Sequence, residues 1–272
     1  MKVSVIVSYY KNLETLGFVL ESLKRQIYKN FEVVIAEDDN IKETVVFLQK
    51  FPELEIIHLT QEDKGNNKIV IQNKAIAAAT GEYLIFIDGD MVMFKEFILH
   101  QLFIAKKGRI LSGRRVHLSQ KLTEQVKRKE LDLSKIEKYF YFYVLKDFLF
   151  DKESRWEQGV SLNPKNLLYK LLSKRVRNAA IIGCNWSCYK EDFVYINGFN
   201  EEYGSVPVAM DTDLTWRFIA AGYELFSSKN LANCFHLHHK VHSFLSTDRS
   251  LYNHNKKNNL FICENGTSKY MN

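Results

Sequence analysis

The chain has 272 residues, with 46% hydrophobic and 13% aromatic content, which excludes a disordered protein and provides for one large core. Only 3 prolines and 12 glycines are present, so no linker-like stretch divides the chain. The net charge of +6 is too modest to predict a nucleic-acid partner. The apolar run at the amino terminus is too short for a signal-peptide core, and no stretch approaches the length of a membrane span. We therefore expect a cytoplasmic protein.

Strands and helices alternate along the first half of the sequence. Apolar runs predict strands, and apolar residues at helical spacing predict helices. In chain order, the predicted elements are strand Val3–Ser8, helix Leu13–Ile27, strand Phe31–Ala36, helix Lys42–Lys50, strand Leu54–Leu59, helix Asn67–Ala79 and strand Tyr83–Ile87. Strands this apolar, separated by helices, predict an α/β fold with a mostly parallel central sheet and helices on both faces.

Polar clusters follow three of these strands: Ser8-Tyr9-Tyr10, Glu37-Asp38-Asp39 and Asp88-Gly89-Asp90. The carboxyl ends of parallel strands meet at one edge, where ligands bind in such sheets. Two carboxylates one residue apart offer hard oxygen ligands to a divalent cation, and that cation could neutralise a diphosphate. Ordinary turn chemistry also explains an isolated D-G-D. Capping of the helix that follows Asp38 and Asp39 remains an alternative for those two residues.

The motifs of dinucleotide and P-loop sites are absent from the sequence. No G-x-G-x-x-G follows the first strand, and no G-x-x-x-x-G-K-S/T occurs, so those two kinds of site lose their main support. Carboxylates with a metal suit a nucleoside diphosphate instead. Two downstream features add weight, namely a second acidic triplet, Asp211-Thr212-Asp213, and a cluster of histidines at His236, His238 and His239.

The middle of the chain is basic and aromatic. Lysines and arginines between residues 109 and 177 are interleaved with bulky apolar residues, including Tyr139 to Tyr143, Phe148, Phe150 and Trp156. Solvated helix faces are the preferred interpretation, contact with an anionic membrane surface is the second, and a nucleic-acid surface is the third. The chain from Asn253 onward is rich in Asn and Lys, and we predict a loosely held tail there.

The four cysteines lack the paired spacing of a zinc site. Cys184 and Cys188 are four residues apart, while Cys234 and Cys263 stand alone. We therefore interpret all four as buried thiols.

Several segments resemble family 2 glycosyltransferases of the GT-A (nucleotide-diphospho-sugar transferase) fold. In the first half they are Val3 to Tyr10, Ile35 to Asp39, and Asn73 to Tyr83 leading to Asp88-Gly89-Asp90. The second half resembles the branch with a galactosyltransferase-like C-terminal region, through Gly183 to Ser187, Asn197 to Tyr203, Asp211 to Arg217 and His236 to His239. The implied organisation is a nucleotide-sugar-binding half at 1–113, a helical basic and aromatic insertion at 114–180, and an acceptor-binding and catalytic half at 181–272.

The resemblance implies an inverting, metal-dependent transfer of a sugar from a nucleotide-diphosphate sugar, most usually a UDP-sugar. The implied acceptor is a glycan or a lipid-linked molecule in surface polysaccharide synthesis, with contact at the inner face of the membrane as an accompanying expectation. Asp211 matches the catalytic base, and Asp90 and His236 would bind Mn²⁺ or Mg²⁺. The residues expected to bind the donor are Ser8, Tyr10, Asp38, Lys68, Asp88 and Asp90. Trp186 and Asp213 would contact the acceptor.

Two departures from the family pattern precede the expected base. Family members usually carry a Glu where this chain has Met210, and the tryptophan-glycine that often comes before it is replaced by Ser205 to Ala209. A non-catalytic nucleotide-sugar-binding protein of the same fold is therefore the alternative. Retention of Asp90, Asp211 and His236 together favours the enzyme.

Simpler structural roles also remain open for the downstream polar residues. Asp211 and Asp213 could cap a predicted helix at Leu214–Ala221. His238 and His242 are interpreted as parts of a solvated turn.

Overall fold

The computed structural model describes residues 1–65, 67–143, 155–162, 164–165, 169, 179–204, 211–239 and 248–271. Its strands are β1 (Val3–Tyr9), β2 (Phe31–Glu37), β3 (Ile56–Thr60), β4 (Tyr83–Asp88), β5 (Met91–Met93), β6 (Arg109–Ser112), β7 (Val116–His117), β8 (Asn185–Tyr189), β9 (Glu224–Ser227) and β10 (Cys234–His236).

The helices flank these strands. They are α1 (Leu13–Lys24), α2 (Lys42–Leu48), α3 (Lys68–Ala78), α4 (Phe97–Ile104), α5 (Gln120–Lys127), α6 (Leu133–Lys138), α7 (Lys190–Tyr195), α8 (Asp211–Ala220) and α9 (Ser250–Lys257). Short 3₁₀ helices cover Trp156–Gln158, Glu201–Tyr203 and Thr267–Tyr270.

The described strands form one large sheet in the order β3-β2-β1-β4-β8-β6-β9. β1 pairs in parallel with β2 and β4, and β2 pairs in parallel with β3. β8 runs antiparallel between β4 and β6, so β6 points in the same direction as β4. The predicted mostly parallel sheet is confirmed, and the antiparallel β8 is a feature that the apolar pattern did not predict.

Both faces of the central strands are buried, which explains why their sequences read as continuous apolar runs. Successive side chains of a strand point to opposite faces. Val5 and Val7 pack with Leu16 and Leu20 of α1 in one core layer. Ile6 lies in the other core layer with residues of α3, β8 and α7, including Ile71, Ala75, Ile76, Trp186 and Phe193.

A second, three-stranded sheet has the order β5-β10-β7. In its register His236 lies opposite Met91 on one side and opposite His117 on the other. Since β5 begins immediately after Asp90, this sheet holds that carboxylate beside two histidine-bearing strands. Strands of two or three residues leave no periodic pattern, so this sheet could not be predicted from the apolar pattern.

The helix boundaries agree with the predicted ones to within a few residues. Asn12 caps α1, because its side-chain oxygen accepts a hydrogen bond from the Thr15 backbone N–H at 3.1 Å. The predicted helix extended to Ile27, but α1 ends at Lys24. The backbone N–H of Ile27 donates to the carbonyl of Lys95 instead, at 2.9 Å.

The prediction of a loosely held C-terminal tail is wrong. Thr267 is fully buried, and its hydroxyl donates to the Asn73 carbonyl of α3 at 3.0 Å. The Asn197 side chain donates to the Cys263 carbonyl at 2.7 Å. At Gly266 a Cβ would lie 1.8 Å from the Asn197 carbonyl oxygen, so only glycine permits the approach. The polar residues of the tail pair with buried backbone groups, which composition alone does not show.

All four cysteines are free and buried, as predicted. Within the described residues, no helix is both long enough and apolar enough to cross a membrane. Phe148 and Phe150 of the basic and aromatic stretch lie outside the described residues. The division at 113 and 180 stays a prediction, and the large sheet takes strands from both sides of that stretch.

Candidate functional site

The structure brings the predicted polar clusters together at one edge of the large sheet. Ser8 and Asp88 are register partners at the ends of β1 and β4. The backbone N–H of Asp38 donates to the Tyr9 carbonyl at 3.0 Å, so the segment after β2 lies directly beside the segment after β1. The edge that the sequence predicted therefore exists as a continuous surface.

Asp38 and Ser8 are buried at this edge. The Asp38 carboxylate accepts from the Gln61 side-chain amide at 2.6 Å and from the Asn67 backbone at 2.9 Å. Burial raises the pKa of Asp38 above its ordinary value. Ser8 Oγ accepts from Gln72 at 2.8 Å. The capping alternative fails for Asp38, because the residue that precedes α2 is Ile41 and no side chain caps that helix.

Tyr10 stands at the outer rim of the same edge. Its side chain is 53% exposed, and its hydroxyl donates to the carboxylate of Asp63 at 3.1 Å. Lys11 binds the same Asp63 carboxylate at 2.6 Å. The tyrosine ring is therefore accessible beside the buried Asp38.

Asp88 forms an ion pair with Lys68, the first residue of α3. The Lys68 Nζ and an Asp88 oxygen are 2.5 Å apart. Burial would lower the pKa of Lys68, but Asp88 and then Asp211 raise it, and the net direction is upward. Lys68 thus stays charged beside Asp88, and the charge of Asp211, the first residue of α8, also acts on it.

Asp90 lies at the centre of a second cluster. One of its oxygens is 3.3 Å from His236 Nε2 and 3.1 Å from His239 Nε2. The ligand-type atoms of these three residues lie within 4.8 Å of one another. Burial alone would raise the pKa of Asp90, but hydrogen bonds from the two histidines hold it well below its usual range. The other oxygen, Oδ1, is buried without a hydrogen-bond partner among the described residues.

His117 fixes the orientation of this cluster. Its Nδ1 is 3.2 Å from His236 Nδ1, so the opposite ring nitrogen of His236 is directed towards Asp90. Such an outer hydrogen bond is how proteins orient a histidine that binds a metal. The sequence predicted His236 but assigned no role to His117 or His239. The short spacing between His236 and His239 was the one feature of the sequence that could have indicated a shared role for His239. No feature of the sequence indicated His117.

The donor atoms fit a divalent cation. One carboxylate and two imidazole nitrogens converge, and the unpartnered Asp90 Oδ1 is a buried acceptor that a cation would satisfy. Mg²⁺ prefers oxygen ligands throughout, whereas the two imidazole nitrogens suit a divalent transition-metal ion.

Asp211 is the first residue of α8, is partly buried, and lies close enough to Asp88 and Lys68 to interact with their charges. Burial raises the pKa of its carboxyl above the ordinary value, although a backbone hydrogen bond from Gly183 and the charges of Lys68 and Arg115 act in the opposite direction. A carboxylate with a raised pKa is a better proton acceptor, which is the property that a general base needs.

The expectation that Trp186 and Asp213 contact an acceptor is wrong, because neither side chain reaches the surface. Trp186 is 1% exposed and stacks on Phe86, with ring centroids 4.1 Å apart. Asp213 is fully buried, and its carboxylate accepts from the Tyr203 hydroxyl at 2.8 Å and from Arg217 at 3.4 Å. Both residues lie in motifs that also hold site residues, and a motif does not show which face each side chain takes.

We expect the substitution Trp186→Ala to lower the free energy of unfolding by about 3–5 kcal/mol, as loss of a large buried aromatic side chain does. Trp186→Phe is the matched control, since it keeps a ring against Phe86 and should cost much less. Denaturant unfolding measures both. An alanine variant of unchanged stability with altered acceptor use would return Trp186 to the acceptor site.

Met210, the preceding Ser205 to Ala209, and His242 lie outside the described residues. His238 is exposed, and its backbone N–H donates to the Thr123 hydroxyl at 2.9 Å.

The strand order and the acidic edge are those of the GT-A fold. A mannosyltransferase of Pyrobaculum calidifontis, solved with GDP-Man and Mn²⁺, matches 88% of this chain and 57% of its own, with a TM-score of 0.56 and 17% identity. S. aureus TarS (1–349), solved with UDP-GlcNAc, matches 90% of this chain and 62% of its own, with a TM-score of 0.58 and 16% identity. Identities this low show a shared fold and no more. The predicted fold is confirmed.

The chain belongs to glycosyl transferase family 2, whose model matches residues 4–160, more than half of its length. The model described as the N-terminal domain of galactosyltransferase matches residues 168–240. Both parts of the predicted resemblance are therefore confirmed.

Curated relatives match shorter stretches of the chain. An uncharacterized glycosyltransferase of Rickettsia felis is 30% identical over 46% of the chain. The amylovoran biosynthesis glycosyltransferase AmsB of Erwinia amylovora is 30% identical over 38% of it, and the putative glycosyltransferase EpsE of Bacillus subtilis is 29% identical over 40%. The matches span 20%, 36% and 40% of those relatives' own lengths, respectively.

Proposed function

We propose that this chain is an inverting, metal-dependent glycosyltransferase that uses a nucleotide-diphosphate sugar, with a UDP-sugar as the first donor to test. The observation that carries the proposal is the convergence of the Asp90, His236 and His239 ligand atoms at the same sheet edge as Asp88, Lys68 and Asp211. Membership of family 2 supports the same reaction class.

Asp90, His236 and His239 would hold the cation. When bound, a divalent cation supplies Lewis-acid stabilisation to a departing diphosphate. In our proposal Ser8, Tyr10 and Asp38 bind the nucleoside, since they form the neighbouring part of the edge. Lys68 would hold Asp88 in place through their 2.5 Å contact.

Asp211 would act as the general base. Its carboxylate would take the proton of the acceptor hydroxyl as that oxygen bonds to the anomeric carbon and the bond to the diphosphate oxygen breaks. A single displacement of this kind inverts the anomeric centre. Burial of Asp211 raises its pKa, which strengthens it as a base.

We propose a glycan or a lipid-linked molecule as the acceptor, in polysaccharide synthesis. The support is the likeness to AmsB, which is named for amylovoran biosynthesis. The alternative, a non-catalytic nucleotide-sugar-binding protein, predicts binding of the donor without its turnover, so hydrolysis of bound donors in the absence of acceptor distinguishes the two.

A thermal-shift panel of UDP-sugars and GDP-sugars with Mn²⁺ tests donor binding. A ligand of the native state raises the melting temperature by mass action. We expect one nucleotide sugar to raise it with Mn²⁺ and to lose most of that effect in EDTA. The Asp90→Ala variant is the matched control and should respond weakly in both conditions. A panel in which no nucleotide sugar shifts the wild type would contradict the proposal.

Peripheral contact with a membrane is a further part of the proposal. Tyr139, Tyr141 and Phe142 are 52%, 58% and 65% exposed, and the Lys138 Nζ lies 5.1 Å from the Tyr139 ring centroid. Aromatic rings next to a cationic side chain suit the boundary between lipid headgroups and acyl chains.

We expect the protein to float with liposomes that contain anionic lipid and to float less with neutral ones. The double variant Tyr141→Ser, Phe142→Ser should float less in both cases. Negligible binding of the wild type to both kinds of liposome would contradict membrane contact, and the interpretation of this stretch as solvated helix faces would remain.

A further inference from the structure

Arg115 lies near both clusters of the site. It follows β6, which runs in the same direction as β4, so the chain leaves β6 at the edge that carries Asp88. Arg115 also immediately precedes β7, which pairs with the strand that ends at His236. The topology therefore places this arginine beside both the acidic edge and the histidine cluster.

Among the described residues, no carboxylate contacts the Arg115 guanidinium. Its Nη1 is 2.6 Å from Cys184 Sγ, and burial raises the pKa of that thiol to about 12, so the sulfur is neutral at physiological pH. In the part of the chain that the structure describes, the buried Nε has no hydrogen-bond partner and no ion pair includes Arg115. Asp88 and Asp211 attract the guanidinium only from farther away.

Other cationic side chains near the core are satisfied. Arg217 is 1% exposed, and it donates to Asp213 and to carbonyls including those of Gly198 and Phe261. Lys68 contacts Asp88 directly. Arg115 is only partly buried, and its guanidinium lacks such partners among the described residues, so it is available to bind an anion supplied by a ligand.

We propose that Arg115 binds the diphosphate of the donor directly, through the planar fork of its guanidinium. This inference rests on the proposed function. Three carboxylates, those of Asp88, Asp90 and Asp211, surround the site and repel a diphosphate, so a cation besides the metal and Lys68 is needed there. A guanidinium suits the task because its N–H groups match two phosphate oxygens at once.

Calorimetric titration with UDP and Mn²⁺ tests the inference, with GDP as the second probe. The variants are Arg115→Gln, Arg115→Lys and the charge-matched control Arg128→Gln. Arg128 suits this purpose because it is exposed at the end of α5, where its guanidinium pairs with Glu124 of that helix. We expect Arg115→Gln to weaken affinity for the diphosphate by about 10–100-fold, the usual loss for a hydrogen-bonded charge. The affinity of Arg115→Lys should lie between those of Arg115→Gln and the wild type, and the affinity of the control should equal that of the wild type.

The loss should persist when EDTA replaces Mn²⁺, because the arginine acts on the phosphates and not through the metal. The melting temperature of the unliganded variants should stay near that of the wild type. Unchanged UDP affinity in Arg115→Gln would overturn the inference and leave the proposed function standing. A lower stability of unliganded Arg115→Gln, together with no recovery of UDP affinity in Arg115→Lys, would indicate a structural role for Arg115 and would also overturn the inference. A wild type that binds neither UDP nor GDP would refute both proposals.

Discussion

Replacing Asp211 with asparagine is expected to lower kcat by about 10²–10⁴-fold, the usual loss when a general base is removed. Affinity for the nucleoside diphosphate should survive, because in our proposal it depends on Asp90, the metal and the nucleoside pocket. Asparagine keeps the shape of the side chain and can still accept the backbone hydrogen bond from Gly183. Steady-state rates and calorimetric UDP affinity, measured on the same preparation, separate these two effects.

The pH dependence of the wild type should follow from the same carboxylate. The base must be ionised to act, and burial raises its pKa above the ordinary 3.8. We therefore expect kcat/KM to fall on acidification at a pH higher than that of an ordinary aspartate. The part of the acid limb that comes from this carboxylate should disappear in Asp211→Asn, while protonation of the metal-binding histidines would still lower the rate.

The same substitution should raise stability at neutral pH. A carboxyl with a raised folded-state pKa is penalised when it ionises, so its ionisation costs stability as pH rises from the unfolded pKa through the folded one. Removing the charge should increase the melting temperature at pH 7, and the gain should vanish below the ordinary pKa of aspartate. A helix cap would behave in the opposite way, because its loss costs about 1 kcal/mol of stability with chemistry intact.

Asp213→Ala is the matched control on the same helix. Its carboxylate serves the buried Tyr203 hydroxyl and Arg217. Its loss should lower the free energy of unfolding by about 1–3 kcal/mol, since both partners lose a buried acceptor. The rate per folded molecule should be retained. A kcat unchanged in Asp211→Asn would contradict the proposed mechanism.

Replacing Asp90 with alanine is expected to abolish Mn²⁺-dependent binding of UDP with the fold intact. Asp90 is the carboxylate shared by both histidines of the cluster, and its second oxygen is already unpartnered among the described residues. Its removal would leave two imidazoles without the anion that draws a cation to the site. Titration of UDP with and without Mn²⁺ measures the effect.

The histidines provide matched controls for that result. His236→Ala and His239→Ala should each weaken the Mn²⁺-dependent binding, whereas His238→Ala should not, because His238 is exposed and outside the cluster. Unchanged Mn²⁺-dependent affinity in Asp90→Ala would remove this residue from the metal site. Equal effects of His238→Ala and His239→Ala would contradict the geometry of the cluster.

Much of the fold could be predicted because the central strands are buried on both faces. Val3 to Tyr9 and Tyr83 to Asp88 are mostly apolar for that reason, and Ser8 and Asp88 stand where these two strands reach the edge. The positions of Asp38, Asp88 and Asp90 followed from the parallel topology alone.

The rest of the site depends on contacts that no local pattern records. His239, His117 and Arg115 reach the edge through strands of two or three residues, which are too short for periodicity. Trp186 is an error of the opposite kind. Its motif predicted contact with the acceptor, but its side chain stacks on Phe86 in the core. The docked tail escaped prediction because its polar groups pair with backbone atoms far away in the chain.

Release of the free nucleoside diphosphate from a bound UDP-sugar or GDP-sugar, measured with Mn²⁺ and with EDTA, tests the central claim most directly. The proposed mechanism predicts release by the wild type that requires Mn²⁺, increases with a suitable acceptor and is lost in Asp90→Ala. Release that is equal in EDTA, or the absence of release from every donor that the protein binds, would contradict it.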